Sequence, residues 1–273
     1  MRVNARRFTL KYTTPSWLEH VSNQNAQSNW LSIAISCFEH ISKYQNGPRI
    51  FCPRSISLEK IMSLPKLDQE HLVKARFGDI NNNEDQLLQA VHLQSETITN
   101  LDLTHPIFEN CLVEHVTFSD CDLNKFEATN TIFKNCDFSN CQLDQASLYE
   151  VAFENCKLVG TVLDNSYFNE VSFTTCLMDL VALNKCQIKT AQFVESRLVD
   201  ASMNDTKIKK ITFEHCQLNR LSLMFTKLKD IDVSNCQFQR LDVDGSQLRG
   251  LIVNPEQAAQ LAQLYFGLRL KIN

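Results

Sequence analysis

A five-residue apolar register runs through the middle of the chain and constrains its fold more than any other feature. Every position whose number ends in 3 or 8 is apolar from Leu103 to Val253, without exception. A period of five matches neither the 3.6-residue spacing of an α-helix nor the two-residue spacing of a strand. The backbone must therefore turn repeatedly, so that each five-residue unit directs one large apolar side chain inward.

Two residues before each of these positions lies a small or medium side chain, with Pro106 and Phe126 as departures. Nine of the 11 cysteines share this phase: Cys111, Cys121, Cys136, Cys141, Cys156, Cys176, Cys186, Cys216 and Cys236. The total is odd and there is no Cys-x-x-Cys pair, which disfavours a disulfide framework or a zinc site. We interpret these cysteines as reduced thiols that fill a cramped interior. Disulfide or metal bonding between stacked sulfurs is the alternative.

The repeats CDFSN (136–140), CQLDQ (141–145) and ASLYE (146–150) resemble the pentapeptide-repeat family, whose consensus is A(D/N)LXX. The resemblance implies a right-handed quadrilateral β-helix with four pentapeptides per coil. Positions 20 apart then stack, and they match in type; one such column contains Phe133, Phe153, Phe173, Phe193 and Phe213. The predicted fold class is all-β, a solenoid of about 7–8 coils, preceded by a small, mainly helical N-terminal domain and capped by a C-terminal helix.

We expect three parts: a mainly helical domain over 1–97, the solenoid over 98–253, and a cap over 254–273. The first part lacks the five-residue register. Its patterns predict four helices: one around Trp30–Ile41, one over Ile56–Leu64, one that Asp68 caps and Gly78 ends, and one over Glu84–Leu93.

A helix signal follows the last repeat. Asn254 is the predicted N-cap, Pro255 the first helical residue, and Gly267 the stop. The resemblance implies that this segment caps the solenoid and often pairs two subunits. We therefore predict a homodimer through the C-terminal helix; a monomer whose helix folds back on the last coil is the alternative. The predicted dimerisation residues are Ala258, Leu261, Ala262, Leu264, Tyr265 and Leu268.

No motif for catalysis or cofactor binding occurs. The chain has no GxSxG, Walker loop, dinucleotide fingerprint or HExxH, and its six glycines leave little material for a phosphate-binding loop. A Cys–His pair is conceivable only in the N-terminal part, from Cys37, Cys52, His20, His40 and His71. Buried cysteine and surface histidine is the simpler interpretation. We predict a protein that is not an enzyme, with no catalytic residue, cofactor or metal.

Charge divides the solenoid into two halves. Residues 101–180 contain 13 acidic and three basic side chains, a net charge of −10, whereas residues 181–253 contain 11 basic and eight acidic ones, a net charge of +3. Because positions 20 apart stack, four basic side chains form one predicted column, Lys189, Lys209, Lys229 and Arg249, flanked by Lys207 and Lys227. Like charges at this spacing repel, so such a column favours an anionic partner. A solvated face is the alternative.

Exposed apolar residues near the basic column complete the predicted partner-binding site. Tyr149 and Tyr167 lie on the same face toward the N-terminus, and Met224 and Phe225 point outward in an adjacent region. Large apolar side chains among charges are typical of interface anchors.

The resemblance brings two functional precedents. One set of pentapeptide proteins protects DNA gyrase and topoisomerase IV from quinolone-type poisons, as acidic mimics of duplex DNA. The other set consists of bacterial effectors with a non-repeat N-terminal domain. A C-terminal dimer would bring two basic halves together, which opposes mimicry of DNA. We favour a non-catalytic protein-interaction scaffold of bacterial origin, in the cytoplasm or translocated into a host cell, and we disfavour direct nucleic-acid binding.

No apolar run is long enough to span a membrane or to serve as an export signal. The first 11 residues are basic, with Arg2, Arg6, Arg7 and Lys11, which suits either a targeting address or a frayed tail.

Overall fold

The computed structural model describes residues 65–82 and 84–269, which fall within one compact unit. The predicted helices before residue 65 lie outside the described residues. Short parallel strands dominate: β1 (Val73–Ala75), β2 (Leu87–Gln89), β3 (Val91–Gln94), β4 (Thr97–Thr99), β5 (Ile107–Glu109), β6 (Leu112–Glu114), β7 (Thr117–Ser119), β8 (Glu127–Lys134), β9 (Ser147–Glu154), β10 (Tyr167–Thr174), β11 (Gln187–Val194), β12 (Lys207–Ile208), β13 (Ile211–Glu214), β14 (Leu221–Ser222) and β15 (Leu241–Asp242).

The strands stack with the 20-residue register that the sequence predicted. Phe133 pairs with Phe153, and Phe153 with Phe173, in parallel strands of successive coils. The largest sheet has 11 strands, most of them in the order β1-β3-β6-β8-β9-β10-β11-β12, with β2 and β5 paired beside β8 and β13 beside β11. Two-stranded sheets, β4-β7 and β14-β15, form on other sides. The described residues form a β-solenoid of about 8 turns, which confirms the predicted solenoid.

The helices predicted around Asp68–Gly78 and over Glu84–Leu93 are wrong. Two short 3-10 helices, Gln69–His71 and Phe77–Asn82, lie on either side of β1, and β2 and β3 occupy the second region. His92 pairs with Leu112 at the 20-residue spacing, so the parallel pairing extends to the N-terminal side of residue 98. Buried Phe77 and Ile80 pack on the first coil, and the ring centroids of Phe77 and Phe118 are 5.4 Å apart. Tertiary pairing with the next coil overrides the weak local helical pattern.

Stacked phenylalanines form the centre of the core. The rings of Phe133, Phe153, Phe173, Phe193 and Phe213 follow one another at centroid distances of 5.0, 4.9, 5.0 and 5.1 Å, with interplanar angles of 17° or less. This spacing is that of neighbouring strands, so each coil contributes one ring to a continuous column. No single coil could bury its ring alone, and stability therefore depends on stacking.

The cysteine column has a hydrogen-bonding reason for its composition. Eight of the nine described thiols lie within hydrogen-bond reach of a backbone carbonyl 23 residues earlier; for example, Cys136 donates to Val113, Cys156 to Phe133 and Cys176 to Phe153, at 3.3–3.4 Å. Cys236 instead donates to the Asn235 side-chain oxygen at 3.5 Å. Ser196 substitutes in the same column and donates to Phe173 at 3.2 Å. All nine described cysteines are free and buried, as expected for small inward donors that link successive coils.

The predicted cap is present as helix α1 (Pro255–Phe266). Asn254 accepts from the Gln257 backbone N–H, and Gly267 ends the helix in the left-handed conformation. The buried Gln257 amide donates to the carbonyls of Val233 and Cys236 at 2.9 and 2.8 Å, so the helix is bonded directly to the backbone of the coil that it covers.

Candidate functional site

Two columns of outward side chains form the face that the sequence singled out. Strands β11 and β12 stack so that Gln187 pairs with Lys207 and Ile188 with Ile208. The isoleucines point toward the core, and the residues beside them point to solvent. The exposed lysines at 207 and 227 form one column, and those at 189, 209 and 229 form the other. Lysines within a column are about 4.8 Å apart along the solenoid, the spacing of neighbouring strands.

A groove of about 700 Å³ opens on this face, and we call it the basic groove. It brings four of the predicted lysines together with two of the predicted aromatic residues. Its lining consists of Tyr167, Gln187, Ile188, Lys189, Asp205, Thr206, Lys207, Ile208, Lys209, Phe225 and Lys227. Asp205 is the acid among these residues. The buried Thr206 hydroxyl donates to the Leu183 carbonyl at 2.8 Å, which leaves the amine groups and aromatic rings as the exposed chemistry.

The groove lysines differ from several other cations of the solenoid, which pair with acidic side chains. Arg220 makes a bidentate contact with Asp200, one coil below, and Lys157 meets Asp137 at the same 20-residue spacing. Within the described residues, no carboxylate lies within ion-pair distance of Lys189, Lys207, Lys209 or Lys227. Unpaired lysines also occur elsewhere in the described solenoid, as at Lys125 and Lys134, but the groove brings four of them together.

Aromatic side chains flank the lysines. Phe225 is 72% exposed and lies in the groove wall. The Tyr167 ring contacts the Tyr149 ring at a centroid distance of 5.2 Å, and Tyr149 is 41% exposed. Exposed aromatic rings next to the aliphatic parts of lysine side chains are typical of the residues that anchor protein interfaces.

The remaining predicted site residues lie at the margin. Lys229 and Arg249 are exposed but do not line the groove. Next to them, the Asp230 N–H donates to the Gly250 carbonyl at 2.9 Å and keeps the two coils in register. Met224 is half-buried, and its backbone N–H donates to the Asn204 side-chain oxygen at 2.8 Å. The sequence missed Ile188 and Ile208 as site residues, since both belong to the apolar register.

The predicted dimerisation residues divide between two faces of α1. Leu261 is buried, and Tyr265 is half-buried with its hydroxyl bonded to the Leu241 carbonyl, so both serve the cap. Ala262 is half-buried, while Ala258 is exposed. The outer apolar surface comprises Leu264 and Phe266, 52% and 61% exposed, together with Leu268 beyond the helix, 52% exposed. The tail after Gly267, where alternating Leu268, Leu270 and Ile272 predict a short strand, lies largely outside the described residues.

Burial makes several of the thiols poor nucleophiles, although hydrogen bonds from neighbouring thiols lower the pKa of Cys136, Cys176 and Cys216. Burial raises the pKa of Cys111 to about 11, and that of Cys141 and Cys186 to about 12. Burial also raises the pKa of Cys156, and the neighbouring Cys136 and Cys176 thiols add to the effect. Of the proposed Cys–His candidates, only His71 lies within the described residues, where it is exposed beside Asp68 at 2.7 Å. Cys37, Cys52, His20 and His40 lie outside them.

The described residues include no group of histidine, cysteine and acidic side chains arranged to hold a metal ion. None of their helices combines the length and hydrophobicity needed to cross a membrane.

Comparisons with known proteins bear on the repeats. A sequence profile described as "Pentapeptide repeat region" matches residues 146–223, and one described as "Pentapeptide repeats (8 copies)" matches residues 114–148. A comparison with curated protein sequences gives no match. Among solved structures, HetL, a pentapeptide repeat protein involved in heterocyst differentiation regulation in Nostoc sp. strain PCC 7120, is 20% identical, with 55% of this chain and 75% of that chain covered and a TM-score of 0.33.

Two other structural matches have the same character. A trypsin-treated form of QnrB1, a plasmid-mediated fluoroquinolone resistance protein, is 15% identical, with 74% of this chain and 100% of that chain covered and a TM-score of 0.38. Rfr23 from the cyanobacterium Cyanothece 51142 is 11% identical, with 62% and 91% covered and a TM-score of 0.18.

Proposed function

Because residues 114–223 are a pentapeptide-repeat region, we propose that the protein is a non-catalytic interaction scaffold that presents the basic groove to an acidic protein partner. One observation carries the proposal: four exposed lysines without an ion-pair partner surround a groove that also exposes Phe225. The solenoid serves as the rigid support, because its stacked core fixes the relative positions of side chains from successive coils.

Repulsion between neighbouring lysines destabilises the protein when nothing is bound in the basic groove. Lysines on neighbouring strands repel one another, and a carboxylate in either position would relieve the repulsion, as Asp200 does beneath Arg220. Since no carboxylate of the described residues forms an ion pair with the groove lysines, a bound acidic surface can supply these ion pairs. Complementary charge also speeds encounter, while the apolar residues slow dissociation.

The proposal is tested with charge reversal in the groove and a matched control. Lys189→Glu/Lys209→Glu changes the groove, whereas Lys125→Glu/Lys134→Glu makes the same charge change at exposed positions on the acidic half. Affinity capture from the native cell with each purified protein, followed by mass spectrometry, identifies the partners. We expect the groove variant alone to lose an acidic protein that the wild type retains. Identical partner sets for all three proteins would refute the proposal.

A second candidate function follows from the acidic half. The net charge of −10 over residues 101–180 favours a topoisomerase-binding mimic of duplex DNA. Supercoiling by purified gyrase in the presence of a quinolone tests it: dose-dependent protection by the wild type, kept by Lys189→Glu/Lys209→Glu, would establish mimicry and exclude the basic groove as the functional surface. Absence of protection removes this candidate.

Homodimerisation through α1 is a further part of the proposal. The exposed side chains of Leu264, Phe266 and Leu268 form an apolar surface beside the capped end, and such surfaces favour burial against another protein. Analytical ultracentrifugation of the wild type and Leu264→Asp/Leu268→Asp tests it, and a wild type that sediments as a monomer at high concentration would contradict it.

Delivery into a host cell rests on residues outside the described part and stays a prediction. A reporter fused to the full chain, with and without Arg2, Arg6 and Arg7 changed to Gln, tests secretion. A reporter that stays in the producing cell under all conditions would argue against an effector.

A further inference from the structure

The basic groove lies where the regular strand of the solenoid is interrupted. Strands β8 to β11 each run for eight residues across one corner. In the next coil the corresponding residues form two short strands, β12 and β13, and Lys209 and Lys210 fall between them. The same pairing is already irregular one coil earlier, where the register between β10 and β11 shifts around Asn169.

A change of corner residue accompanies the interruption. At this corner, Asn130, Glu150 and Glu170 have positive φ angles between 45° and 60°. Thr190 and Lys210, at the equivalent positions of the next two coils, do not adopt this conformation. The left-handed region is less favourable for a β-branched residue such as threonine, although Thr175 adopts it with a φ of 55°. The corner takes another shape in the coils of Thr190 and Lys210, where the strands are irregular, and the positive φ returns at Asp230 and Gly250.

The interruption exposes part of the core. The inward side chains of Leu148, Phe168 and Ile188 on this face are at most 1% exposed. Ile208, the next member of the same column, is only half-buried and forms part of the groove floor with Ile188. An aliphatic floor thus lies directly beneath the lysine rim, a combination that regular coils of the solenoid do not offer.

We propose that the occupant of the groove is an acidic peptide segment of the partner with one apolar anchor side chain, which packs on Ile208 while flanking carboxylates meet the lysines. The inference rests on the proposed function and specifies its ligand. An anchor in a desolvated pocket supplies the binding energy that exposed charge pairs lack, because each exposed ion pair contributes little. Phe225 closes one side of the anchor site.

A peptide fits these features better than a nucleic acid strand. The floor is aliphatic, whereas base recognition in single strands relies on flat aromatic platforms. Asp205 in the lining repels a continuous row of phosphates, but it can accept a hydrogen bond from a peptide N–H. Discrete carboxylates with an apolar residue between them avoid this repulsion.

Fluorescence polarisation with the full-length protein and labelled 12-residue probes tests the inference. The probes are a glutamate-rich peptide with a central leucine, the same peptide with a central glycine, and a 12-nucleotide oligothymidine. We expect the leucine peptide to bind about 10-fold more tightly than the glycine peptide, since the leucine side chain buries apolar surface that glycine lacks. Phe225→Ala is expected to reduce the leucine peptide's affinity about fivefold or more, and Leu180→Ala, at an exposed apolar residue outside the groove, to leave it unchanged.

The outcomes separate the inference from the proposed function. Equal binding of the leucine and glycine peptides would overturn the anchor while leaving an acidic partner in place. Preferential binding of oligothymidine would overturn both. Failure of both peptides, together with wild-type self-association that Lys189→Glu/Lys209→Glu abolishes, would assign the groove to the acidic half of a second copy. Failure of both peptides without self-association would refute the inference, and affinity capture then decides the proposed function alone.

Discussion

Gly250 packs directly against Lys229 of the preceding coil, with no space between them for a side chain. A Cβ on Gly250 would lie 2.9 Å from the Lys229 Cγ and 3.2 Å from its Cα. Gly250 also has a φ of +88°, and its carbonyl accepts from the Asp230 N–H at 2.9 Å. The contact fixes the last coil against the one before it at the end of the basic column.

Gly250→Ala is therefore expected to destabilise the protein by about 2 kcal/mol or more, through the unfavourable φ and the displacement of backbone at Lys229. Urea unfolding followed by circular dichroism gives the free energy. Gly267→Ala isolates the φ term, because Gly267 has a φ of +62° and nothing within 4 Å of its Cβ direction. Gly78→Ala, with open space and no positive φ, serves as the neutral control; an equal loss in all three variants would contradict the packing argument.

Phe173→Ala is expected to lower the free energy of unfolding by about 3–5 kcal/mol. The Phe173 ring is fully buried and stacks between Phe153 and Phe193 at 4.9 and 5.0 Å, so truncation leaves a cavity that the neighbouring coils cannot close. Phe225→Ala removes an exposed ring and is expected to change stability by less than about 0.5 kcal/mol. Comparable losses for the two variants, measured in the same urea titration, would show that the aromatic column is not the main source of stability.

Stability is expected to fall with pH above 9, provided that the thiols are kept reduced. Burial raises the pKa of Cys111 to about 11 and that of Cys141 to about 12, above the ordinary thiol value of 9.0. The unfolded chain therefore loses these protons first as pH rises, and the stability that the protonated thiols contribute is complete below pH 9 and is lost between pH 9 and about 12.

Urea unfolding at pH 8, 9 and 10 checks this expectation. A Cys111→Ala/Cys141→Ala variant is less stable at pH 8 because of the lost packing, and we expect its stability to decline less steeply above pH 9. Parallel profiles for the variant and the wild type would exclude these thiols as the cause.

Lys209→Glu is expected to stabilise the free protein by about 0.5 kcal/mol at low salt, even though it removes a proposed binding residue. The new carboxylate would lie between the lysines at 189 and 229, one coil away on either side, and would neutralise a repulsive column. Arg220→Glu at the same coil spacing is expected to destabilise, because it replaces the contact with Asp200 by a like-charge pair. Thermal unfolding at 20 mM and 500 mM salt measures both changes; effects that persist at high salt would not be electrostatic.

The apolar register and its 20-residue columns could be read from the sequence because each pentapeptide carries its own inward residue. Leu148, Phe168 and Ile188 are buried for the same local reason, and the helix cap from Asn254 to Gly267 is likewise a local signal. The register alone also aligns the lysines at 189 and 209, because stacking follows from the period. These features depend on neighbours along the chain or on a fixed repeat, both of which the sequence displays.

Other features depend on contacts between coils, which no single repeat displays. Whether a cation is neutralised depends on which side chain lies beneath it and how it is oriented, as the contrast between Arg220 and Lys209 shows. Strands β2 and β3 form because the next coil pairs with them, although their own sequence predicts a helix.

By itself, then, the sequence determined the solenoid, its coil length, its cap and the position of the basic column. The tertiary structure alone decided where the long strand is divided into β12 and β13. This break places Ile208 in the floor of a groove beside the basic column. The physical reason is that a periodic burial pattern is encoded locally, residue by residue. The break between β12 and β13 coincides with the altered corner at Thr190 and Lys210 and with the shifted register between β10 and β11, which is a property of stacked coils together.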